Sequence, residues 1–168
     1  MNKRLTDEIN KQINYELYSA YFYLSMATYA ARNDFPGFEN WFLMQVKEEN
    51  MHAMKFYDFV HTRGEKVVLK AIEQPPVEFE SLLGVFEAGL KHEKFVTERI
   101  NLLMSIALEE KDYAAVSFLN WYVDEQVEEE ESFAALIGKI KIVGSAGMGL
   151  YQLDKEVASR TFTEPVAE

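Results

Sequence analysis

Apolar residues recur at helical spacing along four long stretches of the chain. From about Leu5 to Ala31, the residues Ile9, Ile13, Ala20, Tyr23 and Ala27 stack along one stripe. Asn33-Asp34-Phe35-Pro36-Gly37 breaks the pattern, and Pro36 reads as the start of a second helix. That helix covers about 36–63, with Phe38, Phe42, Val46, Ala53, Phe56 and Val60 on its apolar face and Gly64 at its end. A third helix covers about 82–109, capped by Ser81 and striped by Leu82, Phe86, Leu90, Ile100, Met104 and Leu108. A turn at Glu109-Glu110-Lys111-Asp112 leads into a fourth over about 113–143, striped by Phe118, Tyr122, Phe133, Leu136 and Ile140, with Asp112 able to cap it. Beyond the glycine-rich run 144–149, a short helix is expected over about 150–160, followed by a fraying tail from Thr161 to Glu168.

Between Gly64 and Glu80 the helical pattern lapses, with β-leaning Val67-Val68-Leu69 and then Pro75-Pro76. A helix of about 28 residues is roughly 42 Å long, and about 17 extended residues reach roughly 55 Å. The segment can therefore return along a whole bundle and set the third helix parallel to the second. Its apolar residues, Val67 to Ile72, are expected to pack along the outside or in a subunit contact. The fold class that follows is all-α: one domain spanning 1–168, with four long helices, one long crossover and a short fifth C-terminal helix.

Polar residues intrude on the stripes at mid-length. Glu16 lies on the first stripe, Glu49 and His52 on the second, Glu93 on the third, and Glu125, Gln126 and Glu129 on the fourth, with Glu128 at its edge. Glu-x-x-His alone carries little weight, since it arises by chance in a Glu-rich helical chain. The coincidence on four helices carries more. Lysines are missing from those stripes, so several carboxylates would face one another in a core, and they cannot all stay ionised there without cations. Two divalent ions bridged by a shared carboxylate would relieve this repulsion. A mostly oxygen shell with one imidazole suits iron or manganese.

Composition narrows the chemistry. The absence of cysteine excludes disulfides, thiolate metal sites and Cys nucleophiles. A net charge of -11 argues against nucleic acid as a partner and suits cations, metal ions included. The N-terminus has no apolar targeting core and no run approaches the length of a membrane span, which predicts a cytoplasmic protein with no membrane partner.

The segments Asn14-Tyr15-Glu16-Leu17-Tyr18-Ser19, Lys47-Glu48-Glu49-Asn50-Met51-His52, Lys91-His92-Glu93 and Trp121-Tyr122-Val123-Asp124-Glu125-Gln126 through Glu130, with the C-terminal Gly149-Leu150-Tyr151-Gln152-Leu153-Asp154, together resemble the haem-free prokaryotic ferritins over nearly the whole chain. Dinuclear carboxylate bundles of this kind take a Glu from each of two helices and Glu-x-x-His from the other two. Here the fourth helix offers Gln126-x-x-Glu129 instead, which resembles the ferritin variant with a Gln near the second metal. The resemblance implies a ferritin-like four-helix bundle and a ferroxidase. Such an enzyme oxidises Fe(II) to Fe(III) with O2 or peroxide at a dinuclear centre and stores the product as ferric oxide mineral in a homo-oligomeric cage of 24 subunits.

Resemblance and stripe positions together assign the roles. Glu16, Glu49 and His52 are expected to hold the first iron, with Glu49 bridging to a second held by Glu93 with Gln126 nearby. Glu129, beside Glu48, Glu125 and Glu128, is expected to form a third, weaker iron site. Tyr23 lies two turns from Glu16 on the same stripe, where it is either a hydrogen-bond or one-electron donor to a ligand, or an ordinary core tyrosine. Trp121 reads as packing, His61 as serving the second helix's C-terminal end, and His92 as exposed. No haem is expected, because Asn50 stands where bacterioferritins place a ligating Met. A haem-containing bacterioferritin, another di-iron carboxylate oxidase or peroxidase, and a helical interaction protein with solvated carboxylates are the alternatives.

Overall fold

The computed structural model describes residues 1–145 and 147–163, so the expected tail lies outside the described residues from 164 onward. Five helices follow in order, α1 (Lys3–Arg32), α2 (Pro36–Thr62), α3 (Leu82–Glu109), α4 (Tyr113–Val143) and α5 (Met148–Val157), with no strand among the described residues. Their ends follow local chemistry. Asn2 accepts a hydrogen bond from the Arg4 N–H, Ser81 from that of Gly84 and Asp112 from that of Ala115. Pro36 opens α2 in the first helical turn, where its missing N–H costs nothing. The left-handed Gly64, at φ 71°, closes α2.

α1 and α2 form one antiparallel hairpin and α3 and α4 a second. The crossover between them runs along α1 in α1's own direction. Asn10 accepts from the Val68 N–H at 2.7 Å and donates to the Lys66 carbonyl at 3.2 Å, while Ser25 donates to the Pro76 carbonyl at 2.5 Å. At the start of α1, Arg4 pairs with Glu109 at the end of α3, so α3 is antiparallel to α1 and parallel to α2. Arg63 then ties the end of α2 to the cap of α4 through two bonds to Asp112, at 2.9 and 2.8 Å. These bonds hold the Asp112 carboxyl below its usual range. The crossover's apolar residues Val68, Leu69, Ile72 and Val77 stay exposed in the isolated chain.

The interior divides into two apolar clusters. One is aromatic-rich, built on Tyr23, Phe38, Trp41, Phe42, Phe86 and Phe133; the other is mostly aliphatic, built on Leu5, Ile9, Ile13, Phe56, Val60, Ile100, Leu103 and Leu119. Gly89 permits the close approach of α3 to α4, since a Cβ there would collide with the Phe133 ring. α5 lies across the start of α2: Asp154 accepts the Phe38 N–H at 2.9 Å, and Leu150, Leu153 and Val157 join the aromatic cluster. It sits slightly earlier in the chain than the 150–160 pattern, because Gly147, at φ 90°, releases the backbone into a helix at Met148. The α3 stripe also ends differently from its sequence pattern. Leu108 is exposed and Ile106 and Ala107 are buried instead, because the buried face drifts around a straight helix over seven turns.

Candidate metal centre

The two clusters meet at a polar girdle. Glu16 lies between Ile13 and Tyr23 on α1, Glu49 and His52 between Phe42 and Phe56 on α2, Glu93 between Phe86 and Val96 on α3, and Gln126 and Glu129 between Tyr122 and Phe133 on α4. None of these six polar side chains is more than 4% exposed. Such burial is costly for a carboxylate unless its charge is answered.

One ligand atom from each of Glu16, Glu49 and His52 lies within 4.8 Å of the others. The His52 Nδ1 sits 3.4 Å from Glu49, while its Nε2 faces Glu125 at 3.7 Å, an ion-pair rather than a hydrogen-bond distance. His52 also belongs to a second group, with Glu125 and Glu129, held to the same spacing. Glu93 is in neither group. It accepts from the Tyr23 hydroxyl and, at 3.1 Å, from the Gln126 amide, which also reaches Thr97 at 3.3 Å. Glu48, partly buried, is held by Arg160 at 2.5 Å. Glu128 is exposed and lies in neither group, standing about 100° around α4 from the buried Glu129.

Protons and one imidazole answer this carboxylate charge within the protein itself. Burial pushes the Glu93 carboxyl up to about 7, against the hydrogen bonds from Tyr23 and Gln126. Burial, reinforced by the charges of Glu93 and Glu48, pushes Glu129 up to about 8. Glu16 is raised and Glu49 raised further, again chiefly by burial. For His52, burial opposes the charged form, but Glu125, Glu49 and Glu16 outweigh it and hold the imidazole protonated well above its ordinary value. His52 is the cation that acts on Glu16, Glu49, Glu93 and Glu129 alike. Tyr23 is pushed well above the usual phenol range by burial and by Glu93, so it stays a neutral donor.

Two glutamines support the girdle that the stripe pattern does not single out. Gln12 donates to Glu16 at 2.9 Å and Gln45 donates to Glu129 at 2.8 Å, and both are wholly buried. Gln12 stands one turn before Glu16, an i, i+4 relation visible in the sequence. Gln45 stands one turn before Glu49 but serves a carboxylate on another helix, which no spacing reveals. Tyr122 fixes α2 from α4 by donating to the His52 carbonyl at 2.8 Å. Trp121 packs edge-on to His52 at 5.3 Å and carries Lys55 over its face at 3.7 Å.

His92 departs from its expected exposure. It is half-buried among Tyr18, Phe22 and Phe95, its Nε2 lies 2.7 Å from the Ser19 hydroxyl, and burial lowers it to about 4. The α3 stripe alone could not show this, since the rings that enclose it come mostly from α1.

The donor set fits a hard or borderline cation. Among the described residues, buried Glu16 Oε2 and His52 Nε2 have no hydrogen-bond partner, and the amide oxygens of Gln12 and Gln45 are likewise unpartnered. Carboxylate oxygens with one imidazole and no thiolate match first-row divalent ions of the iron and manganese kind.

Comparison with known proteins agrees with this chemistry. The family described as Ferritin, a ferritin-like domain, matches residues 6–143. A bacterial non-heme ferritin from Staphylococcus saprophyticus is 44% identical over 164 residues, covering 98% of this chain and 98% of that protein. One from Staphylococcus aureus is 40% identical over 164 residues, covering 98% and 99% respectively. An engineered closed form of the Archaeoglobus fulgidus ferritin superposes with a TM-score of 0.95 at 47% identity, covering 97% of this chain and 99% of that one. The helical bundle, its buried carboxylate girdle and these matches converge: the chain belongs to the ferritin family, whose membership supports iron storage.

Proposed function

We propose that this chain is a ferroxidase as well as a store, and that the girdle is its dinuclear centre. Glu16, Glu49 and His52 hold the first Fe(II). Glu49 bridges to a second, bound by Glu93 with Gln126 beside it. Each iron gives up one electron; O2 takes the pair with two protons and leaves as hydrogen peroxide, or peroxide takes it with two protons and leaves as two waters. Glu129, Glu125 and Glu48 form a third site through which Fe(III) passes toward mineral, with the exposed Glu128 at its outer margin. Tyr23 fixes Glu93 by donating a hydrogen bond from its hydroxyl.

The observation that carries this reading is the burial of carboxylates from all four long helices at one level of the bundle, with those of α1, α2 and α4 gathered about the His52 imidazole. Iron is here the substrate and cargo. The unpartnered Glu16 and His52 atoms support its binding. The chain acts as one domain over 1–168, assembled as a homo-oligomeric cage of 24 subunits in the cytoplasm, without haem and without nucleic-acid or membrane partners. The exposed crossover residues Val68, Leu69, Ile72 and Val77 support that assembly, and the acidic charge supports the absence of a nucleic-acid partner. No helix among the described residues is long and apolar enough to cross a membrane.

The test is to mix the metal-free protein aerobically with a large excess of Fe(II), separate it by gel filtration and measure co-eluting iron. Iron far above the site count in a cage-sized peak supports storage behind a ferroxidase. Two or three irons per subunit in a small peak would leave a di-iron oxidase or peroxidase.

A further inference from the structure

The C-terminal segment beyond α5 brings a permanent cation to the edge of the proposed third site. Arg160 places Nη2 2.5 Å from Glu48 Oε2, and its guanidinium lies over the Trp41 ring at 4.4 Å. Among the described residues its buried Nη1 has no hydrogen-bond partner. The backbone that carries it is clamped: Asn40 donates to the carbonyls of Ala158 at 3.2 Å and Arg160 at 3.0 Å. These contacts aim the side chain from 112 residues away in sequence at one carboxylate. Glu48 stands one turn before His52 on α2, so the two are neighbours on that helix, and His52 shares a metal-sized group with Glu125 and Glu129; Glu48, held by Arg160, lies outside that group.

We propose that Arg160 is the resident cation of the third site, holding Glu48 until a metal ion displaces it and thereby setting how strongly a metal must bind to enter there. The inference rests on the third-site reading given above. A guanidinium matches a carboxylate with directed donors, so the pair orients Glu48 as well as neutralising it. A divalent or trivalent ion gathers Glu48, Glu125 and Glu129 at once, whereas the guanidinium holds only Glu48. Displacement therefore favours multiply charged ions over monovalent ones, and filling the site loosens the segment's hold on α2. Arg160 is on this account a positioning residue that acts through Glu48.

The test is calorimetric titration of the metal-free assembled protein with Zn(II), comparing the unaltered chain with R160Q, R160K, E48Q and the R160Q/E48Q pair. R160Q is expected to tighten the weakest class of sites about tenfold and leave the tight classes unchanged. R160K should fall between, since an ammonium keeps the charge but not the planar fork. The pair should behave as E48Q alone. Weak-class affinity that is unchanged or lower in R160Q, while E48Q weakens it, would overturn the role of Arg160 and leave the third site standing. Absence of a weak class in the unaltered protein would instead remove the third site itself. Should R160Q fail to assemble, hydrogen exchange of the unaltered protein decides: amides of 159–163 should exchange faster once the third equivalent of Zn(II) binds, and no change overturns displacement.

Discussion

Around Glu16, Glu49 and Glu93 the carboxylates are fully buried and answered by protons and one imidazole. Around Glu48 and Glu125 they are partly open and stand beside guanidinium and ammonium groups, from Arg160 and Lys55. His52 joins the two regions, and Glu129, buried but grouped with Glu125, stands between them. Among the described residues the closed region has no standing countercharge beyond His52. A metal arriving there must expel protons, and the desolvated carboxylates then grip it tightly. The open region already holds organic cations, so a metal there competes with charge that can swing away. One girdle thus contains a place suited to tight binding and chemistry and a place suited to passage.

The largest effect expected from breaking this contrast comes from E49A/H52A, which removes the bridge and the imidazole together. Stopped-flow oxidation of Fe(II) should lose its fast phase by roughly a hundredfold or more, and unchanged kinetics would exclude the closed region as the reactive one. The next is a pH effect on the metal-free protein. Glu93 at about 7 and Glu129 at about 8 bind protons more tightly folded than unfolded, as does His52. Their stabilisation is full below the unfolded values and is lost as pH rises through the folded ones. The melting temperature should therefore fall between about pH 5 and 8, and saturating Zn(II) should reverse the trend; a flat profile would mean that protons do not hold the closed region together.

A smaller change separates the two regions directly. Replacing Glu125 with Gln should weaken the weakest Zn(II) class by about tenfold while the tight classes hold, and equal weakening of all classes would erase the distinction. The smallest expected change lies with the supporting amides. Q12L should weaken only the tight sites and Q45L mainly the weak one, each by about threefold to tenfold in a titration. Identical effects from both would show that they stabilise the bundle generally instead of one carboxylate each.

Much of this arrangement is legible in the chain because helical periodicity reports burial directly. Ile9, Ile13, Tyr23, Phe42, Phe56 and Phe133 repeat at the helical period and line the interior, so Glu16, Glu49 and Glu93 stand out as intruders. Turn chemistry is equally local: Ser81, Asp112 and Gly64 end or begin helices through their own side chains or backbone. What periodicity cannot report is the neighbouring helix. His92 looks exposed on α3 until α1 supplies Tyr18, Ser19 and Phe22, and Gln45 looks like a spare amide until Glu129 arrives from α4. Arg160 falls at the end of the helix expected over about 150–160, but α5 stops at Val157, and no periodicity reports where the chain turns beyond it. Drift of the buried face explains Leu108, which a fixed stripe carries inward and the real helix turns outward.

The pairing of helices has a consequence for how the molecule assembles. Glu16, Glu49 and His52 all lie on the first hairpin, whereas Glu93, Gln126 and Glu129 lie on the second, and the crossover separates the two in sequence. Each hairpin closes through local contacts and can form early, but neither carries the whole ligand set. Docking the halves buries like charges against one another, so the docking step should be slow in the metal-free chain at high pH. Refolding should accelerate when the carboxylates are protonated or when Zn(II) is present, and rates indifferent to both would count against it. A metal ion taken up for storage would then serve first as the clasp between two half-formed folding units.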